Sequence, residues 1–121
     1  GDSDEERARW RELARMQVAF YGSTPNYAFI FEQLEHPGTT AALREHQKAG
    51  DIAGMASVIT DDILRHFTIE GTWATIADGI ADRYAGHATR VVNYFGAIAW
   101  AEDPRYLARW KPIANAVTAA V

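Results

Sequence analysis

Cysteine is absent from the chain, which excludes disulfides and thiolate metal sites. No apolar run approaches about 18 residues and no signal-peptide pattern opens the chain, so we expect no membrane association and a cytoplasmic location. Basic residues are few, with 12 Lys and Arg against 16 Asp and Glu. The resulting net charge of -4 argues against nucleic acid as a partner. The histidines share no metal-ligand spacing, so no metal site is predicted; they are His36, His46, His66 and His87.

Amphipathic helical patterns fill most of the sequence, and 121 residues with 48% apolar content suffice for a single domain. Residues 3–22 and 24–35 predict a helix–cap–helix corner, in which Gly22 ends the first helix and Thr24 with Pro25 begins the second. Further helical patterns occupy residues 40–70, the segment that follows Thr72, and the C-terminal segment. The sequence therefore predicts a mainly α chain with about six or seven helices.

The helical periodicity of apolar residues is lost over residues Thr89 to Phe95 (TRVVNYF). This short β-branched and aromatic run predicts one C-terminal strand. The backbone groups of a single strand need a partner. The strand would pair with a symmetry-related copy, or the run is a misread helix, or the chain is the tail of a larger α/β protein. The helix–strand–helix order over residues 72–121 favours the last solution.

A set of ordered landmarks carries a family resemblance over roughly residues 7 to 96. They are RMQVAFYGSTPNY at 15–27, GD at 50–51, DDIL at 61–64, GT at 71–72, IADRY at 80–84 and RVVNYF at 90–95. In this order and spacing, the chain resembles the C-terminal segment of the luciferase-like, flavin- or deazaflavin-dependent oxidoreductases and monooxygenases. It departs from the family at Trp73, Ala74 and Thr75, where acidic residues are frequent.

The resemblance implies a TIM-type (β/α)₈ barrel that exchanges hydride between coenzyme F-420 or FMN and a small organic substrate. Such barrels need about 250 residues, so the chain looks like the last portion of one. Residues 40–70 would be a helical insertion and residues 72–121 the closing unit. Alone it would be inactive, would bind no cofactor or only part of one, and would form homo-oligomers that cover its barrel-facing stripes.

The resemblance and the corner together suggest cofactor-binding residues but no catalytic residue. Tyr21 and Tyr27 would stack on a flat ring. Ser23 and Thr24, with the N–H groups of the helix start, would hold a phosphate or carboxylate. Tyr94 would border the site from the end of the predicted strand. The alternative for each is structural: a simple cap, and tyrosines that pack in a core or wall.

Two other hypotheses stay open. In the first, the chain is a free-standing α-helical domain that acts by self-association or partner binding without catalysis. A third possibility is a small-ligand pocket lined by Tyr21, Tyr27 and tryptophan residues. Titration with a flavin would test this last hypothesis.

Overall fold

A computed structural model describes residues 1–93 and 101–120. Within these residues the chain forms two compact units, an N-terminal unit of Glu5–Thr68 and a C-terminal unit of Ile69–Val121 with Gly1–Asp4. The prediction of a mainly helical chain is confirmed. No helix in the described part is long and apolar enough to span a bilayer. Seven α-helices lie wholly within the described residues: α1 Asp4–Gly22, α2 Ala28–Gln33, α3 Thr39–Lys48, α4 Ile52–Val58, α5 Asp61–Leu64, α6 Ile76–Tyr84 and α7 Arg105–Ala120.

Side-chain caps begin two helices of the N-terminal unit. The Asp51 carboxylate accepts a hydrogen bond from the Gly54 N–H and caps α4, and the Thr60 hydroxyl accepts one from Ile63 and caps α5. The second predicted helix begins differently, because Pro25–Tyr27 forms a 3₁₀ turn that leads into α2. Helices α2 to α5 are each ten residues or shorter. Helices this short depend on tertiary packing for their stability.

One apolar core holds the N-terminal unit together. Ala14 and Val18 on α1 pack against it, whereas Leu13 on the same helix is exposed. The buried members of the core are Ala19, Phe31, Leu43, Met55, Ile59, Ile63 and Leu64.

Gly22 is the last residue of α1, and close packing explains why a glycine stands there. A Cβ atom at this position would lie 2.7 Å from Cζ of Phe31 and 2.9 Å from Cδ1 of Leu43. Both of these side chains are buried. Gly38 and Gly50, by contrast, adopt positive φ at helix boundaries. The sequence predicts Gly22 as a helix stop, and the structure adds its second role as the contact point of α1, α2 and α3.

A polar clamp joins α1 to the connection between α4 and α5. The Arg15 guanidinium donates to the backbone carbonyl of Ile59 and, at 2.5 Å, to the carboxylate of Asp61. Only 12% of the Arg15 side chain is exposed. The hydrogen bond from Arg15 lowers the pKa of Asp61 below its ordinary value.

In the C-terminal unit, α6 packs against α7. The ring of Trp73 stacks on Tyr106 with 5.6 Å between centroids and meets Trp110 edge-on at 5.7 Å. Ile113 and Val117 are the buried side chains of α7. Aromatic contacts thus supply much of the packing in this small unit.

The predicted C-terminal strand is wrong. Residues from Thr89 to Asn93 belong to no strand, and the described residues contain none at all. Tyr94 and Phe95 lie outside the described residues. β-branched and aromatic residues favour a pleated, half-buried surface, but a strand also needs a second strand with which to pair. The described residues therefore hold no strand that could pair with a symmetry mate or close a (β/α)₈ barrel, and the predicted fold class is wrong in this respect.

Candidate functional site

An open cleft of about 410 Å³ lies within the N-terminal unit. Helix α1 forms one wall with residues at positions i, i+3, i+4, i+7 and i+8, which lie on the same face of a helix. The 3₁₀ turn with α2 and the chain after α5 form the other walls. The lining residues are Ala14, Gln17, Val18, Tyr21, Gly22, Tyr27, Ile30, Phe31, Phe67 and Thr68.

Two phenylalanines give the cleft its aromatic interior. The rings of Phe31 and Phe67 lie 5.6 Å apart between centroids, with their planes tilted by 51°. Phe31 is 2% exposed, and its ring packs closely against Gly22. This side of the cleft is therefore fixed by core packing, which favours a preformed binding surface.

Two tyrosines stand at the mouth of the cleft. Tyr21 is 46% exposed and Tyr27 is 41% exposed, although both line the cavity. Both side chains are therefore partly open to solvent while they line the cleft, as is common for tyrosine. Phe20, outside the cleft, meets Tyr21 edge-on at 5.6 Å.

Polar groups in the cleft are few, and none of the lining residues carries a charge. The Thr68 hydroxyl donates to the Leu64 carbonyl at 3.1 Å. The Gln17 amide has no hydrogen-bond partner among residues 1–93 and 101–120, and its side chain is half-buried. The cleft thus combines apolar and aromatic walls with one amide that has both donors and an acceptor to offer.

The structure brings two of the predicted site residues together, Tyr21 and Tyr27. Ser23 is buried, and its hydroxyl donates to the Phe20 carbonyl at 2.7 Å. Thr24 is exposed at the start of the 3₁₀ turn and makes no side-chain capping bond. Tyr94 lies outside the described residues. Neither Ser23 nor Thr24 lines the cleft.

Sequence reasoning missed Gln17, Phe31 and Phe67 as site residues. The sequence does contain a signal for Gln17, because this residue shares one helical face with Ala14, Val18 and Tyr21. Phe31 and Phe67 are far apart in the sequence, and only the packing of α2 against the segment after α5 places their rings in contact.

Two histidines of the N-terminal unit lie beside aspartate carboxylates, and neither lines the cleft. His36 Nε2 lies 3.3 Å from Asp62, and its ring lies 6.2 Å from that of His66. His46 Nδ1 lies 2.8 Å from Asp51. Across the described ranges, no group of three or more His, Cys, Asp or Glu side chains is arranged to hold a metal ion.

Comparison with known proteins gives a family match and a small set of relatives. The family model described as luciferase-like monooxygenase matches residues 2–90. Uncharacterized proteins from Mycobacterium bovis and from two strains of Mycobacterium tuberculosis are 35% identical to the chain over 97 residues, which is 80% of the chain. The aligned region is 28% of the length of each relative. No solved structure matches the chain.

Proposed function

This chain belongs to the luciferase-like monooxygenase family, and we propose that it acts as a segment of a flavin- or deazaflavin-dependent oxidoreductase. The reaction is hydride exchange between FMN or coenzyme F-420 and a small organic substrate. The family match over residues 2–90 carries this proposal, since the matched region contains the whole N-terminal unit and its cleft.

The cleft suits a flat ring better than a phosphorylated tail. Its volume of about 410 Å³ lies at the lower end of the range of small-molecule sites, which is about 300–1,000 Å³. Phe67 and the two tyrosines are partly exposed and offer ring faces for stacking. FMN and F-420 both carry phosphate, and no lining residue provides a cation to meet it. Residues elsewhere in a longer protein would therefore hold the cofactor phosphate, and the cofactor when bound would supply the hydride chemistry.

The chain matches only a small part of the length of its relatives, which supports the proposal that it works together with further residues. The aligned 97 residues make up 28% of each mycobacterial relative. We expect the chain alone to retain neither cofactor and to catalyse no cofactor oxidation or reduction.

A chimera tests this function. The 97 matched residues of the Mycobacterium tuberculosis relative are replaced by those of this chain, and FMN and F-420 are dialysed against the chain, the relative and the chimera. The proposal predicts that the relative and the chimera retain one of the two cofactors and that the chain retains neither. Failure of both longer proteins to retain either cofactor overturns the oxidoreductase assignment, and turnover by the isolated chain overturns the segment assignment.

A second candidate function is a helical domain that binds copies of itself or a partner without catalysis. Its support is the exposure of two aromatic side chains, Phe20 at 63% and Phe29 at 53%. This alternative predicts that Phe20→Ser weakens self-association in sedimentation equilibrium and that the chimera binds no cofactor. A monomeric wild-type chain contradicts it.

A further inference from the structure

We infer that the cleft of the N-terminal unit binds the uncharged organic substrate, and that the Gln17 amide selects a substrate carrying one carbonyl or hydroxyl group on a flat apolar ring. This inference rests on the proposed function, because it identifies which of the two reactants occupies the cleft.

The absence of charge in the lining is the first step. None of the ten lining residues is acidic or basic. Moving an ionised group from water into an apolar site without a partner is costly, far more so than moving a neutral polar group. Carboxylates, phosphates and ammonium groups are therefore poor occupants, and a neutral molecule is the favoured one.

The position of Gln17 is the second step. It lies on the cleft face of α1, one helical turn before Tyr21 and between Ala14 and Val18 in the lining. In the part of the chain that the structure describes, no protein group satisfies its amide. A half-buried amide in apolar surroundings gains most from a ligand that supplies a matching polar group, because a purely apolar ligand would leave it unsatisfied.

The remaining polar groups leave this role to Gln17. The Thr68 hydroxyl already donates to Leu64 within the protein. Tyr21 and Tyr27 are more exposed than Gln17, so a ligand in the cleft deprives their phenols of solvent less than it does the amide. Phe67, Tyr21 and Tyr27 are partly exposed and supply the aromatic surface on which the ring stacks. The expected ligand is thus a flat hydrocarbon ring system with one neutral hydrogen-bonding substituent that points toward α1.

Three probes with the same bicyclic ring separate these requirements: 2-acetylnaphthalene, naphthalene and 2-naphthoate. Their affinities for the 121-residue chain are measured by the change in naphthalene fluorescence. A single neutral hydrogen bond changes affinity by about threefold to tenfold, so the ketone should bind more tightly than naphthalene by this factor. The carboxylate should bind at least about tenfold more weakly than the ketone, because the cleft offers no counter-charge.

Gln17→Leu is the decisive variant, since leucine keeps a similar volume and removes the amide. We expect it to abolish the preference for the ketone and to raise the affinity for naphthalene, because the apolar probe no longer covers an unsatisfied amide. Gln47→Leu, on the exposed surface of α3 outside the lining, is the matched control and should preserve the preference. Far-UV circular dichroism confirms that each variant is folded.

The outcomes distinguish this inference from the proposed function. Ketone and naphthalene binding that is equal in the wild type, or a preference that survives Gln17→Leu, overturns the role of Gln17 without touching the oxidoreductase assignment. Preferential binding of 2-naphthoate overturns the claim of a neutral substrate. Failure of both the relative and the chimera to retain either cofactor overturns the proposed function, whatever the probes show.

Discussion

Gly22→Ala should destabilise the N-terminal unit, although alanine is the better helix former. The added methyl would lie 2.7 Å from the Phe31 ring and 2.9 Å from Leu43, and these side chains are 2% and 0% exposed. Overpacking of a well-packed core costs about 1–3 kcal/mol. The gain in helix propensity offsets at most about 1 kcal/mol of this, and less at the last residue of a helix. We expect a net loss of about 1–2 kcal/mol in the free energy of unfolding.

Urea unfolding followed by far-UV circular dichroism measures this loss, and amide hydrogen exchange in α2 and α3 assigns it to the N-terminal unit. A double-mutant cycle provides the control, because Phe31→Leu removes the ring atom nearest to the new methyl. The cost of Gly22→Ala should fall by at least about 0.5 kcal/mol in the Phe31→Leu background. A stabilising Gly22→Ala, or strictly additive effects in the cycle, would refute the close-packing argument.

Three further perturbations test other contacts. Asp61→Asn should make the free energy of unfolding less dependent on pH in the acid range. The hydrogen bond from Arg15 lowers the pKa of Asp61, so the stabilisation by this carboxylate is present above about pH 4 and disappears as pH falls through the lowered pKa. Equal acid sensitivity of wild type and variant in pH-dependent urea unfolding would contradict this. Thr60→Ala removes the cap of α5 and should cost about 1 kcal/mol in urea unfolding, whereas Thr24→Ala, which removes no capping bond, should cost almost nothing; equal costs would refute the distinction. Trp73→Ala removes two aromatic contacts with α7 and should cost about 2 kcal/mol in thermal unfolding of the C-terminal unit, and an unchanged transition would show that the stack contributes little.

Local signals predicted the helical part of the fold well. Asp51 and Thr60 mark helix starts through side-chain bonds that span three residues, so the sequence contains all the necessary information. The buried side of α1 was harder to predict, because Ala19 and Gly22 pack in the core while the larger Leu13 stays exposed. The β-branched composition near Val91 led to a wrong strand prediction, because strand formation depends on a pairing partner that the local sequence does not specify.

The candidate site was predictable only in part. Tyr21 and Tyr27 flank the turn after Gly22, which the sequence shows, and both line the cleft. The hydroxyl of Ser23 was expected to face a ligand, but it donates to a carbonyl of the preceding helical turn, as a serine near a helix end often does. The contact between Phe31 and Phe67 depends on tertiary packing, which no local pattern reveals.

Binding of a neutral flat ring through the Gln17 amide is tested most directly by a ¹H–¹⁵N correlation spectrum of the chain, recorded during titration with 2-acetylnaphthalene. We expect the side-chain NH₂ signals of Gln17 to shift together with the backbone amides of Gly22 and Thr68, which line the same cleft. Saturable shifts confined to the exposed surface around Phe29, with the Gln17 signals unmoved, would contradict it.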